Sequence, residues 1–414
     1  MPLKKIAIIG GGAAGMIAAA ILSESSTKFD IYLYEKNEAL GKKVMNSGGG
    51  RCNITTGISS FTHLFSKYTR GSHFLKHAIG FFPPKKVMEW FIDHSLPLKT
   101  EKDERVFPLS DNGKDVIKTF QSIFNKNNVH ISYNTEVTHI TKKGEIFMLQ
   151  ANTQELSFDS IIITTGGDMN KSKYSGYVLA ELLGHTITPL APSLTSFKIL
   201  ESQFYKLKGL TLSSVEIQFS YLKKKYSVNG DMIFTHFGIS GPLIFALSSK
   251  LAFQEISPEN PITIKLILLK DTLTDTCFTQ LQTLFMQSPK KQIDNILGSL
   301  FPSRFIETLL LLQNINPQKR ANEISKKEIR KLADTFTNGF ELILVNRMPG
   351  DEFVTAGGVS LLEVDGGTME SKVHKNLYFA GEVLDIDGLT GGFNLQAAWA
   401  TGSVAAQSII NNEA

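Results

Sequence analysis

Hydrophobic and polar positions along this chain switch between two periods, and each switch marks an element. Lys4–Ile9 is an apolar run that reads as a buried strand, followed by the turn Gly10-Gly11-Gly12-Ala13-Ala14-Gly15 and a helix. A second apolar run, Ile31–Tyr34, predicts another strand that ends on Glu35. Phe74–His94 has helical spacing with a break at Pro83-Pro84, and Asp115–Asn125 reads as a further helix. Val129–Tyr133, Val137–Thr141 and Ile146–Gln150 read as short strands, with a Lys143-Gly144 turn between the last two. Ser160–Thr164 is a buried strand ending on Thr165-Gly166-Gly167, and Tyr177–Leu183 is a helix stopped by Gly184.

The pattern changes character around Pro189–Pro192. From there to Ser248 it is β-like: Val215–Tyr221 alternates, Lys223–Val228 returns, and Thr235–Pro242 interrupts. Pro242–Lys250 looks helical and Ile262–Leu269 is a strand. Thr272–Met286, Gln292–Leu300, Phe305–Gln313 and Lys326–Thr335 are helical, separated by Pro289, Pro302 and Pro317. From Phe340 strand signals and glycine clusters resume, and Leu395–Asn411 closes as a helix. The expected architecture is α/β: a three-layer Rossmann-like domain, residues 1–190 and 341–414, completed by its C-terminal segment. Residues 191–340 form an inserted module, β-rich over 191–270 and helical over 271–340.

The first turn carries the first chemistry. Gly10 lets the chain leave its strand at positive φ, Gly12 lets backbone N–H groups approach a pyrophosphate, and Gly15 permits close helix–strand packing. Glu35 lies 20 residues beyond Gly15, placed to accept hydrogen bonds from both ribose hydroxyls, and its charge disfavours a 2′-phosphate. Strand, turn, helix and acid together describe an adenine-dinucleotide site. A tight strand–helix turn without a ligand is the plainer alternative.

Composition narrows the setting. The 414 residues suffice for two or three domains, and 42% hydrophobic with 20% charged residues is an ordinary globular balance. Glycines, three of them consecutive, break the apolar stretch Ile6–Leu22, which therefore reads neither as a signal peptide nor as a membrane span. Cys52 and Cys277 are far apart, so a disulfide is not expected, and the cytoplasm is the expected compartment. No Cys/His spacing suits a metal. Charge is uneven: residues 191–340 hold 18 Lys/Arg against 12 Asp/Glu. The clusters are Lys223-Lys224-Lys225, Lys290-Lys291, Lys319-Arg320 and Lys326–Lys331, either a solvated face or an RNA contact.

The distal segments point to a flavin. Leu377–Ala380 is an apolar strand ending in Gly381-Glu382, a carboxylate suited to a polyhydroxyl chain such as ribitol. Thr390–Gln396 is a glycine turn opening the last helix, whose free N–H groups suit the pyrimidine end of a flavin.

These segments, with Gly41-Lys42-Lys43, Ser47-Gly48-Gly49-Gly50-Arg51-Cys52-Asn53, Thr235–Pro242 and Thr355–Val359, resemble the BaiN/YhiN-like FAD-dependent oxidoreductases, two-dinucleotide-binding-domain flavoproteins. The resemblance spans nearly the whole chain, and Ser47–Asn53 is its most specific motif. It implies FAD, with Gly10, Gly12, Ala13, Ala14 and Gly15 at the pyrophosphate, Glu35 and Lys36 by the ribose, and Lys43 by the phosphates. It places Gly50, Arg51, Cys52 and Asn53 along the ring, and Val137 at the adenine. Thr165, Gly166 and Gly167 join the cofactor set, while Gly381, Glu382, Gly392, Asn394, Leu395 and Gln396 hold the ribityl and pyrimidine ends. A second G-x-G-x-x-G is absent, so NADH or NADPH would visit the flavin as a transient donor. Asp168–Tyr177 departs from the family pattern, so substrate choice is not carried over.

No catalytic residue is assigned by sequence. Cys52 is a redox or proton-donor candidate, or a buried neutral thiol. Arg51 either stabilises reduced flavin or forms an ion pair within its turn. His236 is an acid–base candidate or a turn cap, Tyr174 and Tyr177 are proton donors or packing groups, and Asp385 and Asp387 cap the Gly388–Gly392 turn. The expected reaction is hydride transfer through flavin N5 to an activated C=C bond of a small unsaturated substrate. An RNA-modifying enzyme resembling ribosomal RNA dihydrouridine synthases is the alternative, and a non-catalytic flavin-binding protein is a third reading. Oligomeric state is not readable from the sequence.

Overall fold

The computed structural model describes residues 3–221, 224–348, 350 and 353–413, so the first lysine of the expected Lys223–Lys225 cluster lies outside the described residues. The chain divides into two compact units, Met1–Pro192 with Val354–Ala414, and Ser193–Phe353.

The first unit is built on five parallel strands. They are β1 (Lys4–Ile9), β2 (Phe29–Tyr34), β3 (His130–Ser132), β4 (Ser160–Ile163) and β5 (Leu377–Phe379), in the order β5-β4-β1-β2-β3. Central β1 pairs with β4 from Ile6↔Ser160 to Ile9↔Ile163 and with β2 from Lys4↔Phe29 to Ile9↔Tyr34. A parallel sheet covered on both faces demands continuous apolar strands, and Ile6, Ala7, Ile8 and Ile9 are all buried. Each such isoleucine contributes about 1.5–3 kcal/mol through apolar burial.

Helix α1 (Ala13–Glu24) links β1 to β2, and nine of its residues, Ala13–Ala20 and Leu22, are buried. An all-round apolar helix needs partners on more than one side. The C-terminal helix α2 (Phe393–Glu413) packs on α1, with Gly402 at the crossing. A Cβ on Gly402 would lie 2.4 Å from the Ala14 carbonyl oxygen, and one on Gly15 would lie 2.0 Å from the Gly10 carbonyl oxygen. These glycines let α1 sit between the strand and α2.

The expected elements occur with shifted ends, and Gln154–Phe158 adds a strand to the sheet of Val137–Lys143 and Ile146–Ala151. One expectation is corrected. Phe340–Arg347 does not serve the Rossmann-like sheet; it pairs antiparallel with Ile262–Ile267 and with Phe197–Ile199 and so closes a six-stranded barrel. The inserted unit therefore runs to Phe353 rather than 340. Strand alternation alone could not say which sheet the segment joins. Closure leaves the barrel without a free edge. Its interior includes Phe204, whose ring stacks 5.5 Å from that of Phe234 and 5.8 Å from that of Phe340.

No helix among the described residues is long and apolar enough to cross a membrane.

The α1–α2 crossing yields a stability test. Gly402→Val should cost about 1–3 kcal/mol by overpacking and lower the thermal midpoint. Gly80→Ala, in the helix Leu75–Phe81 with open space around the added methyl, should raise the midpoint slightly. Equal midpoints for the two variants would contradict the packing described.

Candidate functional site

The glycine turn is held from beneath. Gly10 has φ +109°, and a Cβ there would lie 2.6 Å from the Thr164 carbonyl oxygen. The Thr164 hydroxyl donates to the carbonyls of Gly10 (2.8 Å) and Ile9 (3.0 Å), tying the end of β4 to the turn. Gly12 caps α1 in extended conformation with no side-chain cap, and Met16 N makes the first helical bond, 2.9 Å to Gly12 O. The N–H groups before Met16 therefore have no partner within the helix. Around Gly12 a Cβ would meet only Thr164 O, at 4.0 Å. An open, uncapped helix N-terminus over bare backbone fits a pyrophosphate.

Glu35 is buried at the end of β2, where Gly11 N donates to Oε2 at 2.9 Å and Asn37 N donates to Oε1 at 2.8 Å. Asn37 Nδ2 also donates to Oε1 at 2.5 Å, so the carboxylate is held in place and Oε2 keeps a further lone pair for a ribose hydroxyl.

The C-terminal segment reaches the same place. Gly381 has φ +79°; its added Cβ would lie 2.9 Å from Ala14 Cβ, and its N–H donates to Thr401 Oγ1 at 2.9 Å. Glu382 accepts from Lys43 Nζ at 2.8 and 3.1 Å and from Thr355 N at 3.0 Å. A Cβ on Gly167 would fall 2.5 Å from Glu382 Oε1, so the Thr165–Gly167 turn lies against the same carboxylate. Lys36 is exposed and near Asp168, which accepts from Ser172 N at 3.0 Å. Val137 begins a strand, paired with Ala151.

In the Ser47–Asn53 loop, Gly48, Gly49 and Gly50 have φ of +58°, +72° and +89°. No protein atom lies within 4 Å of a Cβ at Gly49 or Gly50, so this backbone borders open space. The side chains that follow are engaged elsewhere. The Arg51 guanidinium lies 3.9 Å over the Phe107 ring and pairs with Glu101 at 2.7 Å and Asp111 at 3.4 Å, the ion-pair alternative. Cys52 is fully buried at φ +63°, and burial pushes its thiol up to about 12 against a hydrogen bond with Ser47. Asn53 accepts from Val106 N at 3.3 Å.

At the start of α2 the side chains again build the turn. Asn394 accepts from Gly388 N and donates to Gly388 O, both at 2.8 Å. Gln396 accepts from Thr55 Oγ1 at 2.6 Å and donates to Phe82 O at 2.7 Å. Backbone at Gly392 and Leu395, rather than these two amides, is what this end offers a ligand.

Asp385 and Asp387 do not cap that turn; Asn394 does. Asp387 is buried and pairs with Arg70 at 2.5 Å, across 317 residues of sequence. Burial raises the Asp385 carboxyl above its ordinary range, opposed by a hydrogen bond with Thr188. No local pattern announces these partners. Thr164 and Thr355 were also unassigned by sequence, because their roles come from strand neighbours.

Three further candidates are two tyrosines and a histidine. Tyr174 is half-buried, with Lys173 Nζ 4.9 Å over its ring. Tyr177 is buried, and its hydroxyl donates to Glu382 O at 3.5 Å. His236 is exposed in the barrel unit, its ring 6.0 Å from that of Phe237.

The family model for the HI0933-like protein Rossmann domain matches residues 4–408. The chain belongs to the HI0933-like Rossmann family. A 3-dehydro-bile acid delta(4,6)-reductase of Clostridium scindens is 28% identical, over 98% of this chain and 99% of that protein. A ribosomal RNA dihydrouridine synthase of Escherichia coli is 27% identical, over 97% of each. Among solved structures, the FrdA subunit of Escherichia coli quinol fumarate reductase aligns with a TM-score of 0.51 at 14% identity. That alignment covers 100% of this chain and 71% of FrdA, and it is a likeness of fold.

Burial of the two thiols makes a chemical prediction. Cys52 and Cys277 are pushed up to about 12 and about 11 by burial, so both stay protonated at pH 8. Native protein should show negligible reaction with a thiol-specific disulfide reagent, and both cysteines should react once it is unfolded in guanidinium. Fast labelling of Cys52 in the native protein would contradict the geometry.

Proposed function

We propose that this FAD-dependent oxidoreductase reduces an activated C=C bond of a small unsaturated substrate, drawing electrons from NADH or NADPH. The FAD part of this reading is supported by the meeting of Gly10–Gly15, Lys43 and Gly381-Glu382, drawn from both ends of the chain. A mononucleotide would need only the first of these. FAD, when bound, supplies hydride transfer at its N5 atom.

The chain's own residues bind and orient. The N–H groups of Ala13, Ala14 and Gly15 take the pyrophosphate, and Glu35 accepts from the adenosine ribose. Lys43 exchanges its bond with Glu382 for the phosphates, which frees Glu382 to accept from the ribityl chain. Val137 offers backbone to the adenine, while Thr165–Gly167 and the Gly50–Asn53 backbone flank the cofactor. The Gly392–Leu395 backbone at the α2 N-terminus stabilises negative charge on the pyrimidine ring. The name of the Clostridium scindens relative, a delta(4,6)-reductase, supports a conjugated C=C acceptor.

A second reading, reduction of a uracil in RNA, is favoured by a feature of the barrel unit. Phe237 is 53% exposed, with the Tyr205 ring 5.9 Å and the His236 ring 6.0 Å away. Exposed rings of this kind stack unpaired bases. The Escherichia coli relative's name supports it too.

Anaerobic titration decides between the readings. NADH or NADPH should bleach the bound flavin, and a conjugated enone such as a 3-dehydro-4,6-diene bile acid should restore its colour. Reduced flavin that no enone reoxidises, with ribosomal RNA dihydrouridine lost on gene deletion, would replace the first reading by the second. Flavin that resists every donor would leave a non-catalytic flavin-binding protein.

Glu35→Gln should weaken FAD binding about 10- to 100-fold, as expected for loss of hydrogen bonds to a charged acceptor. An unchanged dissociation constant in a variant with native circular dichroism would contradict the ribose assignment.

A further inference from the structure

Two loops of the inserted unit, around residues 288–293 and 317–323, are zipped together by backbone hydrogen bonds. Ile293 N donates to Lys319 O at 3.0 Å, Ala321 N to Lys291 O at 2.9 Å and Asn322 N to Pro289 O at 2.9 Å, with a bridge between Gln292 and Arg320. Between them lies an open cleft of about 470 Å³ lined by Lys290, Lys291, Gln292, Asn295 and Arg320.

The lining contains three cations, two amides and no carboxylate. Nearby acids already accept hydrogen bonds or pair with other cations. Asp294 accepts from Gln318 Nε2 at 3.0 Å, Glu323 from Arg320 N at 3.2 Å, and Glu328 pairs with Lys319 at 2.8 Å. Among the described residues, Lys290, Lys291 and Arg320 have no ion pair, although the neighbouring Arg330 is paired with Asp275. Like charges gathered on rigid backbone cost free energy unless a counter-charge is shared. Asn295 Nδ2 donates to Gln292 Oε1 at 3.1 Å, which leaves the Gln292 amino group and the Asn295 carbonyl for a ligand.

We propose that this cleft binds the phosphodiester backbone of RNA. The inference rests on the RNA reading given above and names the surface that would serve it. The cleft is too open to strip water from one small anion, whereas a chain of phosphates gains from several exposed cations through counterion release. Amides between the cations suit sugar hydroxyls and base edges, and a lipid headgroup array presents no base edges.

The test is fluorescence anisotropy of the full-length protein with a labelled single-stranded oligoribonucleotide, across a salt series. The triple variant Lys290→Ala/Lys291→Ala/Arg320→Ala should bind at least about 10-fold more weakly, with a salt slope reduced by about 2. The control Lys265→Ala/Lys270→Ala, exposed cations of the same unit outside the cleft, should bind as the parent does. Thermal midpoint, flavin content and reduction by nicotinamide donors should be unchanged in the triple variant.

A parent that binds RNA equally well with and without the three cations would overturn this site while leaving the RNA reading intact. A parent that binds no RNA at low salt would overturn both. Equal losses in the control and triple variants, or preference for anionic lipid vesicles over RNA, would also overturn the proposal.

Discussion

The closeness with which helix α1 is allowed to approach its neighbours governs the rest of the first unit. Gly15 brings it against the Gly10 carbonyl, and Gly402 lets α2 close over Ala14. With those contacts made, the helix N-terminus emerges beside Gly381, and the uncapped N–H groups point where a pyrophosphate fits. A methyl group at either glycine would push α1 away from the segments that meet at its N-terminus.

Electrostatics then divides the polar groups into those that hold the frame and those free to meet a ligand. Arg51, Asn53, Asn394, Gln396 and the Arg70–Asp387 pair hold the frame. What stays available is mostly backbone: the start of α1, the Gly48–Gly50 loop and the start of α2. Glu35 and Glu382 add carboxylates whose orientation is already set by N–H donors. A site built this way offers an extended anionic ligand mainly main-chain N–H groups.

Much of this was legible in the sequence because it is local. The strand, turn, helix and acid of residues 4–35 follow from apolar period and glycine spacing, and β1, α1 and β2 occur there. The illegible parts are long-range. Phe340–Arg347 looks like any alternating strand, and only the barrel's open edge decides its partner. Asp387 meets Arg70 across 317 residues, so a nearby turn was the only local use for it. The family resemblance places Arg51 and Gln396 at the cofactor, yet Glu101 and Thr55 claim their side chains. The barrel unit is where substrate choice is least legible, since its exposed rings and cations lie on loops without a diagnostic spacing.

The central claim is that both ends of the chain build one FAD site, and the direct measurement is the flavin released by acid from the purified protein. A yellow protein that yields about one FAD per chain, or takes it up on reconstitution, is the expected result. A colourless protein that takes up no FAD, or one that carries FMN in its place, would contradict it.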